Sequence, residues 1–255
     1  MPRSGRFART RPSILSTDPH ASMAEPSHPD VPRAARGPFI VLEGIDGAGT
    51  TTQLNALRDH FQRTGRRAFF THEPSDGPVG MLIRLALQGR LAGGRYALHD
   101  PGDAAQPASA DFDRTALALL FAADRADHVA TQVRPNLDAG RIVVCDRYLL
   151  STLAYQGQSC DAEWLLEINR PAVTPDLTFF LDVPPSAAEA RMRASRWKKE
   201  MFETKDEQGA IREAYLRYIE MRLPQVGRVE TIDSSRPADV VTAELLACVD
   251  RFLNG

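Results

Sequence analysis

A glycine-rich segment with the spacing of a phosphate-binding loop follows the apolar run of residues 39–42. Gly44, Gly49 and Thr51 match three fixed positions of the pattern G-x-x-x-x-G-K-[ST], whereas Thr50 stands where the pattern has lysine. Glycines let backbone N–H groups approach phosphate oxygens, and the N-terminus of the following helix adds positive charge. The segment therefore predicts a phosphate site that lacks its usual lysine, with an ordinary strand-to-helix turn as the alternative.

Two further segments bring charged side chains to positions that suit ligand binding. Asp146 and Arg147 follow the apolar run 141–145, and the carboxyl ends of strands in open parallel sheets are where such sheets bind ligands. Phe121 and Arg125 are four residues apart, so they share one face of a helix. That face offers a ring and a guanidinium together.

The elements that must position these residues alternate between strand and helix from residue 37 onward, which predicts a parallel sheet with right-handed crossovers. We predict five strands, near residues 38–43, 67–71, 141–145, 177–182 and 229–233. We predict helices near residues 50–64, 78–90, 113–138, 161–171, 185–200, 208–222 and 237–253. The expected fold is therefore an α/β fold, a five-stranded parallel sheet with helices on both faces.

Composition limits the classes of function. A chain of 255 residues with 43% hydrophobic residues is enough for one domain with a substantial core. A formal net charge of -2 gives no global basic field for nucleic acid, and no window approaches the ~18 apolar residues of a membrane span. Three cysteines without metal-site spacing favour reduced thiols, hence a cytoplasmic protein.

Residues 1–36 differ in composition from the rest of the chain. Arg, Pro, Ser and Ala dominate there, which predicts a disordered N-terminal extension before a domain over residues 37–255. The extension has no apolar core for secretion, its prolines oppose an amphipathic targeting helix, and Met23 offers an alternative start of translation.

From about Gly37 to the C-terminus, the chain resembles the thymidylate kinase family of P-loop nucleoside monophosphate kinases, which phosphorylate dTMP with ATP. The matching segments keep the family's order: 43–53, Glu73-Pro74, Phe121 to Arg125 with His128, Asp146-Arg147-Tyr148, Ala154-Tyr155-Gln156, and Leu181 to Pro185. The resemblance implies a basic lid near residues 186–207, ATP as co-substrate, Mg²⁺ as cofactor and a homodimer. It implies nucleotides as partners, and neither nucleic acid nor a membrane.

The resemblance also implies the binding residues. Those expected at ATP form the loop itself: Gly44, Ile45, Asp46, Gly47, Ala48, Gly49, Thr50, Thr51 and Thr52. Those expected at dTMP are Glu73, Arg84, Phe121, Arg125, Arg147, Ser151, Tyr155 and Gln156. Thr51 and Asp146 are the expected metal-binding residues.

Each role at the acceptor site has a competing structural explanation. Phe121 is expected to stack on thymine, although a core phenylalanine gives the same pattern, and Arg125 is expected to donate to a base carbonyl. Arg147 is expected to clamp the dTMP phosphate through its fork geometry, with a surface ion pair to Asp146 as the alternative. Tyr155 is expected beneath the sugar, where a core tyrosine would look identical. Asp46 is expected near the sugar hydroxyl and phosphate.

The predicted lid carries a dense group of cations: Arg191, Arg193, Arg196, Lys198 and Lys199. A solvated helix face is the usual explanation of such a run, but its position after Pro185 favours a lid. Because phosphoryl transfer needs positive charge on the equatorial oxygens, Arg193 and Arg196 join Asp46 and Arg147 as expected catalytic residues. A lid cation is then the expected substitute for the missing lysine.

Three departures from the family pattern leave the function open. They are Thr50 in the loop, His72 where many relatives have arginine, and the loose spacing of Arg196 and Glu203 in the lid. An active dTMP kinase is the first prediction. A non-catalytic nucleotide-binding relative and a kinase for another nucleoside monophosphate are the alternatives. Residues 89–110 predict a surface excursion, either an inserted loop or a cover for the acceptor site.

Overall fold

The structure is a computed structural model that describes residues 36–88, 90, 112–195 and 205–255. The predicted disordered extension of residues 1–36, apart from Arg36, and nearly all of the 89–110 excursion therefore lie outside the described residues. The same holds for Arg196, Lys198, Lys199 and Glu203 of the predicted lid.

Five parallel strands form a sheet in the order β2-β3-β1-β4-β5. The strands are β1 (Phe39–Glu43), β2 (Ala68–His72), β3 (Ile142–Asp146), β4 (Leu177–Asp182) and β5 (Arg228–Asp233). The predicted fold class and all five predicted strands are confirmed. The apolar, β-branched runs of β1, β3 and β4 suit strands that are covered on both faces.

All five strands end at one edge of the sheet, and each ends on an ionisable residue. These residues are Glu43, His72, Asp146, Asp182 and Asp233. Pairing places Leu42 beside Asp146, and Asp146 beside His72. In an open parallel sheet this edge is where ligands bind, at the point where the strand order reverses, which here is β1.

Helices connect the strands. They are α1 (Thr50–Arg63), α2 (Pro78–Leu87), α3 (Arg114–His128), α4 (Arg134–Asp138), α5 (Leu149–Tyr155), α6 (Ala162–Ile168), α7 (Pro185–Ser195), α8 (Lys205–Glu220) and α9 (Ala238–Asn254). Short 3₁₀ turns cover Gln156–Gln158 and Pro224–Val226. Helix α5 was not predicted. Six of its seven residues are buried, so it shows none of the amphipathic periodicity from which the other helices were predicted.

The single helix predicted over residues 113–138 is interrupted. Asp113 caps α3 by accepting a hydrogen bond from the backbone N–H of Ala116 at 2.9 Å. A π-helical turn, Val129–Val133, then separates α3 from α4. Pro135 explains the change, because it has no N–H with which to continue the α-helical ladder.

The core lies on both faces of the central strands. Every residue of β1 and β3 is buried, as is β4 up to its last residue. Helix α1 packs with α9, and α5 packs with α6 and α8. Within the described part of the chain, no helix has the length and apolar character needed to cross a bilayer.

Candidate active site

The loop between β1 and α1 has the backbone that its glycines predict. Gly47 and Gly49 have φ values of 82° and 96°, in the left-handed region that favours glycine. A Cβ at Gly47 would also lie 2.6 Å from the carbonyl oxygen of Ala188. Helix α1 starts directly after Gly49, so its unpaired N–H groups face the loop. Glycines at these angles fit either alternative, and the unpaired N–H groups at the start of α1 are what a phosphate cradle requires.

A cleft of about 1050 Å³ joins this loop to side chains from β2, α3 and α5. Its volume slightly exceeds the roughly 300–1,000 Å³ of small-molecule sites, which leaves room for two ligands. The predicted site residues that line it are Ile45 to Thr52, Glu73, Phe121, Arg125, Asp146, Arg147, Ser151, Tyr155 and Gln156.

Arg147 is one of the cations that line this cleft. Its backbone has φ 66°, unusual for a residue with a Cβ, and this turns the chain sharply at the end of β3. The guanidinium donates to Asp46 Oδ1 at 2.6 Å, to the carbonyl oxygen of Gly44 at 3.0 Å and to the hydroxyl of Tyr155 at 3.1 Å. Its ion pair is thus with Asp46 of the loop, and the alternative of a surface pair with Asp146 does not hold.

Glu43 anchors the turn that carries Arg147. Its carboxylate accepts hydrogen bonds from the backbone N–H of Tyr148 at 3.0 Å and of Ser151 at 3.2 Å, and from both the Ser151 and Tyr215 hydroxyls. Burial raises the pKa of Glu43, against the lowering effect of the Ser151 hydrogen bond and the Arg147 charge. These contacts fix the first turn of α5, and they also occupy the Ser151 hydroxyl.

A buried polar network lies beneath the opposite wall of the cleft. Arg125 is 2% exposed and donates through Nε and Nη2 to the same oxygen of Glu73, at 2.9 and 2.6 Å. It also donates to Asn169 and to the Thr152 hydroxyl, and lies over the Tyr148 ring. The other Glu73 oxygen lies 3.1 Å from His128 Nδ1. Because the charges of Arg125 and Glu73 are paired, the network holds the Arg125 side chain in place.

Asp146 has one oxygen in use and one without a partner. Its Oδ2 accepts a hydrogen bond from the Thr51 hydroxyl at 3.0 Å. Its Oδ1 is buried and has no hydrogen-bond partner, the one such side-chain atom found among the described residues. Since buried polar atoms are normally satisfied, this oxygen indicates a missing ligand, and hard oxygen donors suit Mg²⁺.

Comparison with known proteins identifies the family. A model of the family described as thymidylate kinase matches residues 42–99 and 103–245. The chain belongs to the thymidylate kinase family. It is 39% identical over 216 residues to a probable thymidylate kinase of Thermococcus kodakarensis, covering 84% of this chain and 98% of the relative. It is 40% identical over 222 residues to a probable thymidylate kinase of Pyrococcus abyssi, covering 86% of this chain and 99% of the relative. It is 35% identical over 231 residues to the thymidylate kinase of Pelotomaculum thermopropionicum, covering 86% of this chain and 98% of the relative.

Within this thymidylate kinase fold, some predicted residues lie away from the cleft surface. Arg84 donates to the carbonyl oxygen of Pro74 at 2.8 Å and does not line the cleft. The Arg193 side chain is 77% exposed and paired with Glu189 at 2.7 Å. Arg191, by contrast, lines the cleft and donates to the carbonyl oxygens of Ser234 at 2.7 Å and Gly47 at 3.5 Å. The catalytic roles of Arg193 and Arg196 stay predictions.

Several residues that shape the thymidylate kinase site were missed from the sequence. Glu43 carries the Arg147 turn, and Thr152 and Asn169 hold Arg125. Of these three residues, only Glu43 could have been recognised from the sequence. It is an acidic residue at the end of a fully buried strand, and a buried carboxylate requires hydrogen-bond partners.

Proposed function

We propose that this protein transfers the γ-phosphoryl group of ATP to dTMP, giving dTDP and ADP for dTTP synthesis. The observation that carries the proposal is the Asp46–Arg147 pair. It links the phosphate loop to the pocket of Phe121, Tyr155 and Gln156 within one cleft. Both substrates then meet where a fork-shaped cation is already held in place.

Phosphoryl transfer asks the protein for in-line positioning and for positive charge around the transferred group. The N–H groups of the loop 44–52 hold the ATP phosphates, and Arg147 clamps the phosphate of dTMP through two parallel hydrogen bonds. Asp46 holds Arg147 in that orientation from the loop side. The donor and acceptor phosphates are therefore brought together across the Asp46–Arg147 pair.

The acceptor base is proposed to lie between Phe121 and the wall built on Arg125. Phe121 is half-buried on α3 and lines the cleft, so its ring is available for stacking. Arg125 supplies the base edge with a guanidinium that Glu73 holds still. Tyr155 and Gln156 close the sugar side at the end of α5.

Asp146 and Thr51 are the residues proposed to hold Mg²⁺. Within the described ranges, no group of three His, Cys, Asp or Glu side chains is placed to hold a metal ion. That arrangement suits an ion that is bound by one or two protein oxygens, water and the phosphates of a nucleotide. Held by Asp146 and Thr51, the ion would supply positive charge to the phosphate oxygens of the nucleotide.

We also propose that the protein acts in the cytoplasm as a homodimer. Helices α2 and α3 pack together and expose three large apolar side chains, Met81 at 52%, Leu82 at 37% and Leu119 at 48%. Contact with a second copy would remove this apolar surface from water.

A coupled ADP-release assay tests the function directly. The purified protein is given ATP, Mg²⁺ and, separately, dTMP, dUMP, UMP, CMP, AMP and GMP. We expect dTMP to have the highest kcat/KM, because the cleft has a stacking ring and a fixed cation for the base edge. Nucleotide binding without turnover would favour the non-catalytic alternative, which is suggested by Thr50 in place of the loop lysine. Faster turnover of CMP or AMP would refute the acceptor assignment.

Restoring the loop lysine tests how the protein works without it. We expect at least one of Arg193→Ala, Arg196→Ala and Lys199→Ala to lower kcat about 10²-fold, the scale of a preorganised charge in a transition state. Thr50→Lys should then rescue that variant more than it improves the parent, because both cations address the same phosphate oxygens. Arg170→Ala, which changes an exposed arginine in the turn after α6 that is paired with Glu167, is the control. Mild effects in every lid variant would refute compensation by the lid.

A further inference from the structure

Gln208 contacts the phosphate loop from a helix outside the loop. It lies in the first turn of α8 and is 1% exposed. Its side-chain oxygen accepts a hydrogen bond from the backbone N–H of Asp46 at 3.1 Å. Its amide nitrogen donates to Asp46 Oδ2 at 3.3 Å. One side chain therefore fixes both the backbone and the carboxylate of Asp46.

The carboxylate of Asp46 is held from both sides. Oδ2 faces Gln208, and Oδ1 accepts the 2.6 Å hydrogen bond from Arg147. With a donor on each oxygen, the carboxylate cannot rotate without losing one of the two contacts. The orientation of the Arg147 guanidinium is thus tied to α8 through Asp46.

Helix α8 is a firm support for this contact. Gln208, Arg212 and Tyr215 follow the spacing i, i+4, i+7, which places them on one face. Arg212 pairs with Asp182 at 2.6 Å, and the Tyr215 hydroxyl donates to Glu43 at 3.2 Å. That face is therefore attached to the carboxyl ends of β1 and β4 as well as to the loop.

We propose that Gln208 is a positioning residue for phosphoryl transfer, acting through Asp46 on Arg147. This inference rests on the proposed function. Glutamine suits the role because its amide accepts from the backbone N–H and donates to the carboxylate at the same time. Methionine of similar length makes neither bond, and glutamate places a second negative charge against Asp46.

The first test replaces Gln208 with methionine, which keeps the buried volume. We expect kcat/KM for dTMP to fall about tenfold to a hundredfold, the size of a lost hydrogen bond to a charged group. The KM for ATP should change much less, because the bond from Gln208 to the loop backbone involves one N–H, that of Asp46. Thr178→Val is the matched control, since it removes a buried 2.7 Å hydrogen bond to the Val226 carbonyl, remote from the cleft. It should lower thermal stability and leave both constants unchanged.

A double-mutant cycle with Asp46→Asn separates positioning from general destabilisation. If Gln208 acts through Asp46, Gln208→Met should cost little once Asp46 is asparagine, and the effects on dTMP should be less than additive. Gln208→Glu keeps the shape of the side chain and should lower kcat/KM for dTMP at least as much as Gln208→Met does. If the methionine variant does not fold, Gln208→Glu takes its place in the cycle. Additive effects, or equal losses for ATP and dTMP, would overturn the inference. Turnover of dTMP by the wild-type protein tests the proposed function separately from the role of Gln208. If the wild-type protein does not turn over dTMP, the same double-mutant cycle is measured as the affinity for dTMP by calorimetry.

Discussion

Replacing Arg147 with alanine is expected to lower kcat/KM for dTMP by about 10²–10³-fold, the loss typical of a preorganised donor to developing charge. The dianionic acceptor phosphate then has no fork-shaped cation to orient it. Alanine keeps the Cβ, so the left-handed backbone at this position carries no strain that arginine did not already carry. The variant therefore isolates the contribution of the guanidinium.

The measurement is steady-state kinetics with dTMP and ATP varied separately, together with thermal unfolding. Arg228→Ala is the control, because that arginine is 69% exposed on β5 and pairs with Glu230. Arg147→Lys should recover only part of the activity, since lysine keeps the charge but not the two parallel hydrogen bonds. A folded Arg147→Ala variant with wild-type constants would place the acceptor site elsewhere.

Asp146→Asn is expected to cost a similar 10²–10³-fold in kcat and to raise the Mg²⁺ concentration needed for half-maximal activity. Asparagine can still accept the Thr51 hydrogen bond, but its amide nitrogen cannot bind a cation. Thermal stability should not fall, because the substitution replaces a buried charged group that has one unpartnered oxygen with a neutral amide. Loss of activity and loss of stability are thereby separated.

A titration of activity against Mg²⁺ at saturating ATP checks this expectation. Asp138→Asn, which changes an exposed aspartate at the end of α4, provides the matched control. An unchanged Mg²⁺ requirement in Asp146→Asn would show that the unpartnered oxygen has no role in metal binding.

Strands β1, β3 and β4 were predictable because each is a short, nearly continuous apolar run, which is the pattern of a parallel strand buried on both faces. Strands β2 and β5 are only partly buried. Helix α5 was not predictable, since burial on nearly every side removes the periodicity that marks a helix. The π-helical turn before Pro135 was not predictable either. A proline signals an interruption in a helix, but not its form.

Site residues were predictable where the chemical type of the side chain itself suggests a role. Arg147, Asp46 and Tyr155 are brought together as neighbours, although 101 residues separate the first two. The partners of these residues were not predictable, because contacts across the fold leave no local pattern. Arg125 illustrates this, since its spacing from Phe121 indicated a shared face, but not that Glu73, Thr152 and Asn169 would enclose it.

Cys145 lies where the core meets the cleft, one residue before Asp146. Its thiol is fully buried and donates to the carbonyl oxygen of Arg147 at 3.0 Å. Burial raises the pKa of this thiol, and the carboxylates of Glu73, Asp146 and Glu43 raise it further. Because only the thiolate reacts with alkylating reagents, modification requires this edge of the sheet to open first. The rate of alkylation at Cys145 therefore measures local opening of the proposed acceptor site. We expect a bound nucleotide to lower that rate, whether or not the nucleotide is turned over.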